Sequence, residues 1–224
     1  MTRRDDPRIR ASVRHRRPLL RGTFHGIAAV AAPFGLIALL ILAGSPSAYV
    51  GAAIFAASLI LLYGTSATYH LVPWGDRPST VMGRIDHSMI FVLIAGTYTP
   101  FCLVVLSRPW GISMLAVVWS LAAAGALVQI CWRSSPRWLN VASYIALGWV
   151  GVIAASQLIG ALPATALVLL IAGGAMYSVG AMVYAMRRPD PFPRIFGYHE
   201  IFHVFVIAGT LLHFSVIAVY VLPA

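Results

Sequence analysis

Lysine is absent from this chain of 224 residues, whose 16 basic residues are all arginine. That absence excludes a retinal protein, because the chromophore needs a lysine amine for its Schiff base. Acidic residues number only six, and charged residues of both signs make up 10% of the chain. A soluble domain carries about a quarter charged residues, so water cannot be the solvent for most of this surface. Cysteine is scarce as well. The two present, Cys102 and Cys131, fall in different apolar runs. The topology developed below sets them near opposite membrane faces, which argues against a disulfide.

What the chain has instead is apolar length. Hydrophobic residues make up 60% of it, and the mean hydropathy is +0.85. A bilayer crossing takes about 20 consecutive apolar residues. Runs of that length cover residues 22–44, 49–73, 84–106, 111–131, 139–158, 164–186 and 200–222. Turn and stop signals separate them, among them Gly44-Ser45-Pro46, Pro73 to Pro78, Arg108-Pro109, Pro163 and Pro189 to Pro193. The expected fold is all-α: a polytopic membrane protein of seven transmembrane helices, with no room for a soluble domain. Residues 1–21, with eight arginines and little that is apolar, are expected to be a basic, disordered tail. Residues 22–224 form the seven-helix domain. The first apolar run is long and lacks a small-residue cleavage site, so it reads as a retained helix and not a signal peptide.

Arginine placement orients the bundle. With the N-terminus cytoplasmic and the C-terminus outside, the inner segments hold fifteen arginines and the outer ones only Arg108. The same rule explains the basic tail without nucleic acid as a partner. Anionic headgroups suit that tail, at about 1 kcal/mol per arginine near the surface.

On this topology, ionisable residues from distant segments reach one depth. His70 ends the second helix, with Ser66 one turn deeper on the same face; Asp86 and His87 open the third helix; His199 and His203 open the seventh; and His25 lies near the inner end of the first. A spacing of four sets His199 and His203 on one helix face, about 5.4 Å apart along the axis. They and His70 are candidate metal ligands, and three protein ligands plus a water is the pattern of a catalytic zinc site. Asp86 and Ser66 are the candidate catalytic residues, Asp86 as acid–base group and Ser66 as hydrogen-bonding partner. Blander roles exist for each: a membrane histidine also serves as an interhelical hydrogen-bonding group, and Asp86 as a solvated helix cap. His213, about 15 Å along the helix from His203, reads as a packing or relay residue, and Glu200 and His87 as bystanders.

These residues also carry a resemblance. The run from Tyr63 to His70 followed by Pro73-Trp74 resembles the Ser-x3-His motif of hemolysin III proteins, within the progestin and adipoQ receptor family that includes the adiponectin receptors. Arg84-Ile85-Asp86-His87 with Gly96 to Pro100 is similar to the third-helix signature. Gly197 to His203, followed by His213-Phe214, is similar to the final His-x3-His motif. The resemblance covers the chain after residue 18. It implies seven helices with a cytoplasmic N-terminus, zinc held by His70, His199 and His203, and Asp86 and Ser66 acting beside it. The first-helix motif departs from the family's: only His25 remains, with Arg21 and Pro18 where an asparagine and an acidic residue are usual.

The function expected is that of a zinc-dependent hydrolase of lipid-like amides, with membrane lipid as substrate, in a bacterial inner membrane. A non-catalytic protein that alters membrane permeability or homeostasis is the alternative, and a receptor-like sensor is a third reading.

Overall fold

In the computed structural model, residues 18–132 and 134–223 are described, and apart from one isolated bridge between Phe192 and Phe196 their regular structure is helical. Seven helices are long and apolar enough to cross a membrane: α1 (Thr23–Leu42), α2 (Pro46–Leu71), α3 (Asp76–Val105), α4 (Arg108–Cys131), α5 (Arg137–Ala161), α6 (Ala164–Met186) and α7 (Tyr198–Val221). Consecutive helices pack side by side, and α7 returns to α1, so the bundle closes into a ring with α3 also touching α5.

The helix boundaries follow local chemistry. Ser45 caps α2, its Oγ accepting from the Ala48 N–H at 3.3 Å, and Pro46 sits in the first turn, where no backbone donor is needed. Pro33 stays inside α1 without ending it, as lipid-embedded helices allow. One boundary differs from the sequence reading. Helix α3 begins at Asp76 and not near residue 84, because Asp76 and Pro78 occupy its opening turn, where acid and proline both suit a helix N-terminus. Asp86 therefore lies well inside α3 and is buried, which removes the solvated-cap reading.

Helix α5 is interrupted. A 3₁₀ turn over Val150–Ala154 breaks its α-helical ladder. The Tyr98 hydroxyl from α3 fills the gap, donating to the Gly148 carbonyl at 2.6 Å and accepting from the Gly151 N–H at 2.7 Å. A backbone group freed within lipid needs such a partner. Close helix contacts rest on small residues; a methyl group at Gly51 would stand 2.8 Å from the Pro100 Cα.

Large apolar side chains such as Val30, Phe34, Ile41, Ile112 and Ile171 are exposed on the outside of the bundle, as expected where lipid is the solvent. Of the expected tail, residues 1–17 lie outside the described residues. Residues 18–21 form a turn docked on the segment before α7, with the Leu19 and Leu20 N–H groups donating to the Arg194 and Ile195 carbonyls at 3.0 and 3.2 Å. Cys102 and Cys131 are both free thiols.

Candidate metal centre

Four helices deliver polar side chains to one end of the bundle. The last turns of α2 bring Ser66 and His70 to the same face, four residues apart. The first turns of α7 present His199 and His203, and α3 contributes Asp86 and His87. The third residue of α1 is His25. All but His70 and His87 are buried to more than nine-tenths.

The three histidines expected to act together do meet. Their side-chain nitrogens lie within 4.8 Å of one another, and the His70 Nε2 is 3.1 Å from the His199 Nε2. The His199 and His203 ring centres are 4.5 Å apart, and those of His70 and His203 are 5.4 Å apart. Such a trio could hold a metal ion. Zinc–nitrogen bonds of about 2.0–2.1 Å in a tetrahedron place neighbouring ligand nitrogens about 3.3 Å apart, close to the shortest separation here. The His203 Nδ1 is buried and lacks a hydrogen-bond partner, a cost of about 1–3 kcal/mol for a polar atom left unsatisfied. An all-imidazole donor set suits several divalent ions besides zinc.

Asp86 stands against this trio, its Oδ2 3.8 Å from the His70 Nε2. Ser66 is one helical turn behind His70. Its Oγ is 2.8 Å from the His25 Nδ1, and the His25 ring stacks on His203 with centres 3.6 Å apart and planes 6° from parallel. His25 therefore joins the site as the fourth imidazole, bridging a ligand candidate to Ser66.

Of the two residues read as bystanders, the structure gives Glu200 a structural part and leaves His87 outside the trio. Glu200 is fully buried. One carboxylate oxygen accepts from the Gly197 N–H at 2.8 Å, closing the first turn of α7, and the other is 3.3 Å from the Arg21 Nε. It thus fixes the turn that carries His199. An acid within an apolar run is costly unless paired, and Arg21 was the cation at matching depth. His87 does not reach the trio. Its Nδ1 lies 3.3 Å from the Gln129 amide nitrogen and its Nε2 lies 3.3 Å from the Tyr184 hydroxyl.

His213 sits farther along α7, 3.0 Å from the Leu170 carbonyl through Nε2. A neutral imidazole must be protonated there, since a carbonyl only accepts. It packs edge-on against Tyr177, whose hydroxyl shares Thr210 with Tyr63 at 2.8 Å each. The packing reading of His213 fits these contacts.

A cavity of about 340 Å³ opens at this end of the bundle, lined by His25, Ser66, Asp86, His199 and His203. Leu62, Ile90, Tyr144, Ala181, Phe202 and Val206 line both this cavity and a second, of about 110 Å³, deeper in the bundle. A third, of about 430 Å³, lies at the α5 interruption and shares Tyr98, Trp149 and His213 with the second. The series runs from a polar mouth to an apolar third cavity, bordered by Val152, Ile159 and Ile171 on the outside of the bundle.

Comparison with known proteins shows the family of the chain. Residues 13–214 match the family described as Haemolysin-III related. The chain is 37% identical to Hemolysin-3 of Bacillus cereus over 204 residues, covering 89% of each chain. It is 36% identical to the Hemolysin-3 homolog of Bacillus subtilis (strain 168), over 88% of this chain and 90% of the relative. A more distant similarity, 30% over 184 residues, links it to the heptahelical transmembrane protein ADIPOR2 of Oryza sativa subsp. japonica, covering 74% of this chain and 80% of that one. With seven apolar spans and close bacterial relatives, the chain is a multi-pass plasma-membrane protein, and it belongs to the Haemolysin-III related family.

Proposed function

We propose that this protein is a zinc-dependent hydrolase of lipid-like amides, with its metal site at the cytoplasmic face, N-terminus inside and C-terminus outside. The observation that carries the reading is the convergence of His70, His199 and His203 within 4.8 Å, with the Asp86 carboxylate beside them at the polar end of a chain of increasingly apolar cavities. The orientation rests on the arginine count of the sequence, and among the described residues Arg21, Arg84, Arg137 and Arg187 stand at the end of the bundle that holds the site.

His70, His199 and His203 would hold the ion, which would supply carbonyl polarisation and lower the pKa of water at the site. Asp86 takes a proton at its carboxylate from the attacking water and returns it to the leaving nitrogen. Ser66, held by His25, offers its hydroxyl to the reacting group or to Asp86. Glu200 and Arg21 keep the first turn of α7 in register so that both of its histidines face α2. The apolar cavities take the acyl chain and exclude water from it, favouring an amphiphile over a water-soluble amide. The arginines of the basic tail would attract anionic headgroups.

The test is turnover of a long-chain N-acyl amide by metal-loaded protein in nanodiscs. Asp86→Asn should keep its metal and lose about 10²–10⁴ in rate, the range of a general acid–base group. Unchanged turnover in that variant would remove Asp86 as the proton carrier. No turnover of any lipid amide by the native protein would remove the hydrolase reading.

A second reading comes from the printed name of the Bacillus cereus relative, Hemolysin-3, and makes the protein a non-catalytic agent of membrane permeability. The apolar lining of the second and third cavities, where residues such as Ile94, Leu106, Met114 and Leu158 predominate, disfavours a water-filled path. Saturable leakage from liposomes, unaffected by Asp86→Asn, is the result that would support it.

A further inference from the structure

Three arginines line the same cavity as the histidines: Arg84 from α3, Arg137 from the first turn of α5 and Arg187 at the end of α6. Among the described residues, Asp86 is the only carboxylate that lines it. Interfacial arginines are ordinary topology markers, and Arg77, Arg188 and Arg194 fit that role, since none of them lines the cavity. The three that do come from separate helices and converge on one opening.

Among the described residues, few of their donors have a partner. Arg84 spends one N–H on the Ile130 carbonyl at 3.2 Å, leaving a guanidinium with four further donors. Arg137 lies over the Tyr184 ring at 5.0 Å, and its Nη1 is buried without a hydrogen-bond partner. Arg187 closes α6 with φ 56°, ψ 33°, a left-handed conformation that glycine adopts with less strain. An arginine held there keeps a cation at the mouth, where glycine would supply only the turn. The amides of the first turn of α5 add the positive end of its dipole beside Arg137.

The histidine trio is near. Tyr184 is 5.8 Å from His199 and 5.0 Å from the Arg137 guanidinium, centre to centre, so the two are no farther apart than these distances combined. A ligand reaching both needs only a few bonds between its two polar groups.

We propose that Arg84, Arg137 and Arg187 form an anion subsite at the mouth of this cavity, so that its ligand is an amphiphile carrying a carboxylate or phosphate a few bonds from its amide. This rests on the amide-hydrolase reading for the nature of the second group, but the anion subsite itself is read out by binding alone. Guanidinium pairs with carboxylate and phosphate through two parallel hydrogen bonds, which gives geometry as well as charge. A neutral head of equal size forgoes these bonds.

The experiment measures binding of N-dodecanoylglycine and of the neutral N-dodecanoylethanolamine to the full chain in phosphatidylcholine nanodiscs, with no turnover required. The expected result is at least tenfold tighter binding of the glycine conjugate, with the preference shrinking as salt rises. The Arg137→Gln and Arg187→Gln variants together should bring the ratio near one, and the Arg77→Gln and Arg194→Gln pair should leave it unchanged. Displacement by millimolar inorganic phosphate would identify a subsite that reads a free anion as well; resistance to it would identify one that reads only a lipid-borne anion. Equal affinity of the native protein for both amphiphiles overturns the proposal, and so does a preference that survives loss of both arginines. If the Gln variants fail to fold, the comparison of the two ligands on the native protein decides alone. Preference without hydrolysis would leave the anion subsite standing and remove only the hydrolase reading.

Discussion

Breaking the Arg21–Glu200 pair should loosen the part of the bundle that presents the histidines. The pair joins the turn ahead of α1 to the first turn of α7, with 3.3 Å between Nε and Oε1 and side chains 20% and 1% exposed. Two unit charges at that distance attract by about 5 kcal/mol in an effective dielectric of about 20. The partial exposure of Arg21 and the rotamer entropy of holding it reduce this, leaving a coupling of about 2 kcal/mol, within the range for contacting residues. Glu200→Gln keeps the volume and the hydrogen bond to Gly197 but leaves Arg21 without its counter-charge. That variant should lose about 3 kcal/mol, the lower part of the range for an orphaned partner of a buried pair. Reversible unfolding in mixed micelles, run as a double-mutant cycle with Arg21→Gln, measures the coupling directly. A double variant no more stable than the sum of the two single losses predicts would refute the reasoning, since the pair would then contribute no interaction of its own.

Other consequences follow from the same geometry. Gly51→Ala sets a methyl group 2.8 Å from the Pro100 Cα, where backbone must move; it should cost about 1–3 kcal/mol, seen as a lower thermal midpoint in detergent, and an unchanged midpoint would contradict the packing of α2 on α3. Ser66→Ala leaves the buried His25 Nδ1 without its 2.8 Å partner, with an expected loss of about 1–3 kcal/mol by the same unfolding assay. Ala181→Phe narrows the passage between the first two cavities, which Ala181 lines on both sides. It should raise KM for long-chain amides and spare short-chain ones; an equal change for both would sever the inner cavities from substrate binding.

Much of this arrangement was legible in the sequence because lipid imposes strict rules. A span needs length and apolarity, and all seven spans stand in the sequence as runs with both. His70, His199 and His203 stood out because an imidazole in lipid needs a reason, and a spacing of four is a helical face. Glu200 carried the same signal but lay between two histidines, and its partner Arg21 is 179 positions away, a pairing that no local pattern records. His25 was visible only as a residue at matching depth; its stacking on His203 depends on how α1 packs against α7. The break in α5 had no proline to announce it, because Tyr98 from another helix supplies the missing hydrogen bonds. The early start of α3 was hidden by Asp76 and Pro78, residues that serve a loop and a first helical turn equally well. The linked cavities are products of packing, and no periodicity describes a space.

The central claim is that three imidazoles from α2 and α7 form one metal site. Metal content of the purified native protein and of His203→Ala, measured by elemental analysis in mild detergent, tests it most directly. About one equivalent of zinc per native chain, lost in His203→Ala while the helical signal persists, is the result predicted. A well-folded native protein that takes up no divalent metal, even when supplied with it, would contradict the account.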